Sequence, residues 1–238
     1  MKTEYLEFCP RLRQIYESGQ SIDRDGNPVR ASGFSTLNNL RIIRELLLRE
    51  QSQNTLEVGL CFGTSALTFL ATMKELHGSG FHHTAIDPYQ NTHWKGSSIR
   101  VIEEEGFSEN FTLIEGPSEY VLPNLAQEEA PDRYDMIYVD GSHLFEDVFI
   151  DYFYAARILG EQGIILFDDC RDKHVAKVIK FIERNFSSVM VPLDLSSFDD
   201  PQKSLKKRLG NLLGIRQMKG FRKQGPPYRK YGSKLKNF

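Results

Sequence analysis

The feature that most constrains this chain is an alternation that runs from residue 36 to about residue 195. Short apolar, β-rich runs are separated by amphipathic stretches of helical period. Parallel strands need a crossover between them, and a helix is the usual one, so the pattern predicts βαβ units around a mostly parallel sheet. The predicted strands are Thr55–Val58, Thr84–Ile86, Phe111–Glu115, Tyr134–Val139 and Ile164–Phe167. Ser35-Thr36-Leu37 opens a helix that continues through Arg49, with Leu37, Leu40, Ile43 and Leu47 on one stripe. Between the fourth and fifth strands, FEDVFIDYFYAARIL places Val148, Tyr152, Ala155 and Leu159 on one face, with Gly160 as the C-cap. After the fifth strand HVAKVIKFIERNF is a further amphipathic helix, and SVMVPLDL and LLGIRQM are then expected to pair as an antiparallel hairpin at the sheet edge.

The chain of 238 residues suits one large α/β domain with an appendage. Such a domain buries roughly 70–75% of the surface its unfolded chain exposes, so it needs no covalent staples. Cys9, Cys61 and Cys170 are too few and too scattered for a disulfide framework or a CxxC metal site, which points to a reducing compartment. No apolar run reaches the roughly 18 residues of a membrane span, and the N-terminus MKTEYLEFCPRLRQ lacks the apolar core of a signal peptide. A cytoplasmic protein is the expectation. The formal net charge of −2 hides an asymmetry: residues 201–238 hold twelve Lys or Arg and no Asp or Glu, against 18 basic and 32 acidic residues before them. The expected reading is a solvated basic segment docked on an acidic body, with an anionic substrate, a membrane surface or nucleic acid as alternatives.

The run TLEVGLCFGTSALTFLATM reads as strand, glycine loop and helix, which sets the N–H groups of a helix N-terminus over the strand ends. Gly59 and Gly63 leave room for a ligand to approach the backbone. Their G-x-x-x-G spacing differs from the G-x-G-x-x-G that packs a dinucleotide, so a nicotinamide enzyme is disfavoured. Glu57 is unusual on a buried strand unless a cationic group needs it. The next strand ends at Asp87, where a doubly wound fold holds ribose hydroxyls.

The fourth strand ends in Asp140-Gly141-Ser142-His143 and the fifth in Asp168-Asp169-Cys170. If these strands are sheet neighbours their ends lie about 4.8 Å apart, and three carboxylates open into one crevice. Like charges at that range repel, and a hard divalent cation such as Mg2+ would relieve them. His143 stands over the same crevice as a candidate acceptor of a substrate hydroxyl proton. His77, His82 and His83 fall away from the strand-end face, and no role is assigned to them.

At these residues the chain resembles the small-molecule class I methyltransferases that use S-adenosylmethionine, the group that includes catechol O-methyltransferase. It is more similar still to the macrocin-type and other sugar O-methyltransferases. The resemblance rests on EVGLCFGTS, IDPYQNTHWKG, VIEEEGF, LIEGPSEYVLPNL, YDMIYVDGSHLFEDVFIDYFYAARIL and GIILFDDC, and covers about residues 34–195. Cys61 stands where many class I enzymes carry a third glycine. The resemblance implies a Rossmann-like seven-stranded sheet of order 3-2-1-4-5-7-6 with helices on both faces. It also implies three segments: an N-terminal cap (1–33), a cofactor-binding domain (34–220) and a basic tail (221–238).

For the site, the resemblance implies Glu57, Gly59, Gly63, Thr64 and Ser65 around the methionine part of S-adenosylmethionine, Asp87 on its ribose and Ser118 at its adenine. Asp140 joins that cofactor set. Asp140, Asp168 and Asp169 fall on the metal positions of the magnesium-dependent members, and His143 matches a general base, with Asp140 beside it in the catalytic pair. The implied partner is a small molecule with a hydroxyl group, such as a sugar, a polyol or a catechol, and a homo-oligomer is left open. Two other classes compete. The basic tail and Gly225-Pro226-Pro227-Tyr228 suggest an N-methyltransferase of nucleic acid or protein. That motif belongs at the end of strand four, however, and here it lacks the leading Asn or Asp, so nucleic acid is disfavoured. The remaining class is a non-catalytic cofactor-binding module that recruits through its tail.

Overall fold

The computed structural model describes residues 3–127, 133–198 and 216–238, and the chain forms two compact units, Met1–Pro117 and Ser118–Phe238. In the first unit the N-terminal segment, expected only as a cap, has regular structure of its own. Helix α1 (Pro10–Ser18) is followed by a small antiparallel pair, β1 (Gln20–Ile22) and β2 (Pro28–Arg30). Then come α2 (Leu37–Glu50), β3 (Asn54–Val58), α3 (Thr64–His77), β4 (His82–Ile86), α4 (Ser97–Glu104) and β5 (Phe111–Ile114). Thr36 caps α2 by accepting from the Asn39 N–H at 3.2 Å, as the Ser-Thr-Leu start predicted. The strands β3, β4 and β5 are parallel, with Val58 opposite Ile86 and Ile86 opposite Ile114, so all three chains leave the sheet at one level.

The second unit holds α5 (Ser118–Gln127), β6 (Tyr134–Val139), α6 (Phe145–Ile158), β7 (Leu159–Phe167), α7 (Lys173–Asn185), β8 (Met190–Pro192) and β9 (Lys219–Lys223). β6 and β7 are parallel and finish together, Val139 opposite Phe167. β9 runs antiparallel to both β7 and β8. Strand order is β5-β4-β3 in the first unit and β6-β7-β9-β8 in the second. Seven strands thus follow the expected order, 3-2-1 and then 4-5-7-6.

Three local expectations need correction. Helix α6 ends at Ile158 and the chain passes directly into β7, so Gly160 lies in the strand and is no helix cap. The extended C-cap at Leu159 is held by the buried Lys223 ammonium, which donates to its carbonyl. The edge hairpin exists, but its second strand is Lys219–Lys223; LLGIRQM contributes no strand from its described residues 216–218, and its residues 212–215 lie outside the described ones. The reason is burial: Phe221 is fully enclosed and packs edge-on against Phe167 at 6.2 Å, which selects that register. The tail boundary expected at residue 221 therefore falls inside a strand. Among the described residues no helix is long and apolar enough to cross a membrane, and all three cysteines are free.

Helix α7 starts at an Asp172 cap whose Oδ1 accepts from the N–H groups of His174 (2.8 Å) and Val175 (3.5 Å). Asp172→Ala removes this cap, and the expected loss of unfolding free energy is about 1 kcal/mol, read by urea denaturation. An unchanged midpoint would show that the cap does not hold the helix.

Candidate active site

In the first unit the turn after β3 leaves the ordinary backbone repertoire three times within five residues. Gly59, Cys61 and Gly63 have φ of 91°, 48° and 73°. Gly63 is the N-cap of α3, and a Cβ there would lie 2.9 Å from the Ser98 Cβ, so glycine is needed for helix packing as well as for conformation. Thr64 and Ser65 open α3 and are buried. Cys61 adopts the left-handed form that glycine takes more cheaply, and its thiol reaches the Ser32 carbonyl at 3.4 Å.

Asp87 holds this turn in place. Its Oδ2 accepts from the N–H groups of Leu60 and Cys61, both at 3.0 Å, and from the Gln90 amide at 3.2 Å, while Oδ1 accepts from the Tyr89 N–H at 2.7 Å. Gln90, wholly buried and missed from the sequence, donates in addition to the Cys61 carbonyl at 2.9 Å and accepts from the Ser98 hydroxyl. An Asp-Pro step with a glutamine two residues on was the available signal. The carboxylate assigned to a ribose thus serves first as the brace of the glycine turn.

Glu57 is fully buried, and the nearest basic side chain to it is His83, whose Nε2 lies 3.3 Å from Oε1. Neither Glu57 oxygen has an aligned hydrogen bond. His83 is fixed by Thr55 Oγ1 at 2.8 Å and by stacking on Phe69 at 4.7 Å. The sequence pattern leaves His83 in the loop before its strand and away from the strand-end face; β4 in fact begins at His82, and the place of His83 opposite Thr55 puts it beside the face that carries Glu57. Trp94 packs edge-on against Phe62 of the glycine turn at 5.3 Å.

In the second unit the ends of β6 and β7 carry the acidic residues. Tyr138, unremarked in the sequence because it stands within an apolar strand, donates to Asp168 Oδ2 at 2.6 Å and to Asp140 Oδ2 at 3.0 Å. Asp168 Oδ1 also accepts from the Asp169 N–H at 2.6 Å and the Gln217 amide at 3.2 Å. Asp169, in the left-handed region at φ 48°, turns the other way: its Oδ2 meets His143 Nε2 at 2.8 Å. Asp140, His143 and Asp169 each present a ligand atom within 4.8 Å of the others. The set brought together is Asp140, His143 and Asp169; Tyr138 donates to both Asp140 and Asp168, and the Gln217 amide to both Asp168 and Asp169.

Ser118 begins α5 beside Asp151 of α6. Burial pushes the Asp151 carboxyl up to about 7; the Ser118 hydroxyl offsets part of this, and nearby Asp147 and Glu119 add to the rise. Neither oxygen of Asp151 has a well-formed hydrogen bond. The Gly225-Pro226-Pro227-Tyr228 segment lies in the tail, where the Tyr228 ring packs 4.8 Å from the Arg157 guanidinium of α6.

Seven strands in this order, a glycine turn after the first and carboxylates closing the fourth and fifth define the Rossmann-like fold of class I methyltransferases. Residues 56–170 match the model of a family described as a methyltransferase domain. Over that stretch, just under half of the chain, the sequence is similar to a methyltransferase domain, the class to which its motifs pointed. Solved structures agree in fold. An O-methyltransferase from Bacillus cereus in complex with SAH is 13% identical with a TM-score of 0.61, the alignment covering 81% of this chain and 84% of that one. The O-methyltransferase TomG from Streptomyces achromogenes, involved in tomaymycin synthesis and solved with SAM, is 14% identical with a TM-score of 0.55, covering 92% and 90%. No curated protein matches the chain by sequence.

Two outcomes test this geometry. Asp87→Asn keeps the shape but loses the charge and sets an amide where N–H groups converge; a loss of about 2–3 kcal/mol in urea unfolding is expected, and a neutral result would remove Asp87 as the brace. Asp151, whose folded value is raised, favours folding when protonated. Its contribution is complete below the ordinary value of 3.8 and is lost as pH rises through about 7. Asp151→Asn should thus gain on the parent between about pH 4 and about pH 8, by on the order of 3 kcal/mol. A pH-independent difference between the two proteins would contradict this.

Proposed function

We propose that the chain transfers the methyl group of S-adenosylmethionine to a hydroxyl oxygen of a small molecule, with His143 as the proton acceptor. The observation that carries the reading is the His143–Asp169 contact at 2.8 Å beside Asp140. A sulfonium methyl is already electrophilic, so the protein must align the attacking oxygen and take its proton. With Nε2 turned to Asp169, Nδ1 of the half-exposed ring is the nitrogen left to accept it. Asp169 fixes the ring and stabilises the imidazolium that forms. Tyr138 holds Asp140 and Asp168 at their strand ends so that neither carboxylate swings across the ring.

The glycine turn supports the cofactor assignment, with Glu57, Gly59, Gly63, Thr64, Ser65 and Asp87 as its residues in the first unit. The solved relatives bound to SAH and SAM support the same assignment. Two carboxylates and an imidazole within 4.8 Å of one another also suit a divalent cation. Asp140, Asp169 and His143 would hold it, in place of the trio with Asp168; His143 would then be a ligand in place of the proton acceptor, and the cation would lower the pKa of an acceptor hydroxyl. Sugar, polyol and catechol hydroxyls are the acceptors in view. The docked, aromatic-lined position of the tail's Pro-Pro-Tyr segment favours none of the nucleic-acid readings.

Calorimetry with S-adenosylmethionine and turnover across a panel of sugar and catechol acceptors test the reading. His143→Ala is expected to lower kcat by about 10²- to 10⁴-fold with cofactor affinity retained. Loss of activity to a chelator, restored by Mg2+ or Mn2+, would assign the cation. Absence of cofactor binding at millimolar concentration, or full activity in His143→Ala, would refute the proposal.

A further inference from the structure

The second unit carries a charged face that the proposed methyl transfer does not use. Helix α7 buries Val175, Val178, Ile179 and Ile182 and turns Lys173, Lys177, Lys180 and Arg184 outward, all four exposed. Their spacing of four, three and four residues sets them in one row along the helix, about 16 Å from end to end. The tail then runs back along the same helix. Asn185 donates to the Lys236 carbonyl at 3.2 Å, Arg184 to the Asn237 carbonyl at 2.8 Å and Lys177 to the Phe238 carbonyl at 3.3 Å. Lys234 and Lys236, exposed as well, therefore stand beside the row, with the exposed Lys230 at the turn that precedes them.

These cations gather without carboxylates among them. Residues 216–238 contain no Asp or Glu, and on α7 Glu183 is engaged with Lys219 at 2.8 Å while Asp172 caps the helix. Among the described residues none of the basic groups in the row or the tail lysines beside it makes an ion pair; Lys177 and Arg184 donate to main-chain carbonyls. Bringing like charges together raises the electrostatic energy of the folded chain, and neutral contacts hold the tail in place against it: the Asn185 side chain accepts from the Lys236 N–H at 2.9 Å, and the Phe238 ring packs on Phe181 at 5.0 Å. An extended anionic partner relieves that repulsion. Tyr231 and Leu235 stand exposed between the tail lysines. A nucleic acid has use for the tyrosine ring but none for the leucine, whereas a lipid headgroup layer takes both, the apolar groups sinking toward the acyl boundary while lysine stems keep their charges at the surface.

We propose that the face formed by α7 and the tail docks the protein on a bilayer surface rich in anionic phospholipid, with Lys173, Lys180, Lys230 and Lys234 meeting the headgroups and Tyr231 and Leu235 entering the interface between them. Each basic residue near such a surface adds a similar increment of attraction, so a row of this size supports reversible binding by a chain in which no described helix is long and apolar enough to cross the membrane. Charge complementarity selects the anionic lipid, and the two exposed apolar side chains select a bilayer over a free polyanion.

Vesicle flotation of the full chain tests this, comparing phosphatidylcholine vesicles with vesicles in which about one third of the lipid is phosphatidylglycerol. The expected result is binding at least about tenfold tighter to the anionic vesicles at about 0.1 M salt, most of it lost near 1 M, where the screening length falls to about 3 Å. Lys173→Gln, Lys180→Gln, Lys230→Gln and Lys234→Gln combined remove four charges and none of the hydrogen bonds that seat the tail. This variant should lose about a hundredfold or more in anionic-vesicle binding, with its melting temperature held or raised as the repulsion is relieved. Tyr231→Ser with Leu235→Ser, which leaves every charge in place, should weaken binding about tenfold and keep its salt dependence. Equal binding to the two kinds of vesicle, or unchanged binding in the lysine variant, would overturn the proposal. Tighter binding to an RNA duplex than to the anionic vesicles, through the same four lysines, would overturn it as well, by giving the face to nucleic acid.

Discussion

The carboxylate of Asp87 carries a charge into a nearly closed space and there receives four N–H groups, three of them from main chain. A buried charge survives only where donors converge on it, and three left-handed residues in a row of five persist only where something over-determines them. Here each requirement meets the other. The turn supplies the donors that make Asp87 tolerable, and Asp87 supplies the acceptor that keeps the turn in a conformation its own residues resist at Cys61. Everything placed by that turn, from the start of α3 to the seat of Trp94 on Phe62, inherits its rigidity from this exchange.

The second unit solves a comparable problem with a phenol. Tyr138 has one proton and stands between two carboxylates, so Asp140 and Asp168 are tied to the same strand without a positive charge beside them. Asp168 is the buried member of the group, and the residues that present ligand atoms to one another are Asp140, His143 and Asp169. Asp169 reaches His143 only because its backbone takes the left-handed form, which turns the side chain away from its neighbour's. Adjacent aspartates in sequence thus have separate work: one closes the strand, the other meets the histidine.

Much of the fold was legible because it rests on periodicity. The run Tyr134–Val139 and the helix beginning at Thr36 follow from apolar spacing and a cap, which are local. The end of α6 was not, since Gly160 is a good stop signal locally and is overruled by strand pairing and by Lys223 from far along the chain. The site shows the same division. Residue types at strand ends announced Glu57, Asp87, Asp140 and Asp169 from sequence. Of their partners, Gln90 is signalled by the Asp-Pro step before it, whereas His83, Tyr138 and Gln217 come from other strands, buried positions or the tail, and nothing in their immediate neighbourhood distinguishes them from ordinary packing.

The pairing of β6 with β7 contains an irregularity whose effect lies at its far end. Between Tyr134 and Met136 the first strand advances two residues while the second, from Leu159 to Ile164, advances five. The surplus is absorbed where Gln162 turns left-handed and Gly163 passes close to the Gly160 carbonyl, and from Ile164 onward the ladder runs regularly to Phe167. Length is therefore tolerated upstream and forbidden downstream. A lineage could add or lose residues near 160 without moving Asp140 relative to Asp168, and the strand-end chemistry is free to stay fixed while the opposite edge of the sheet drifts.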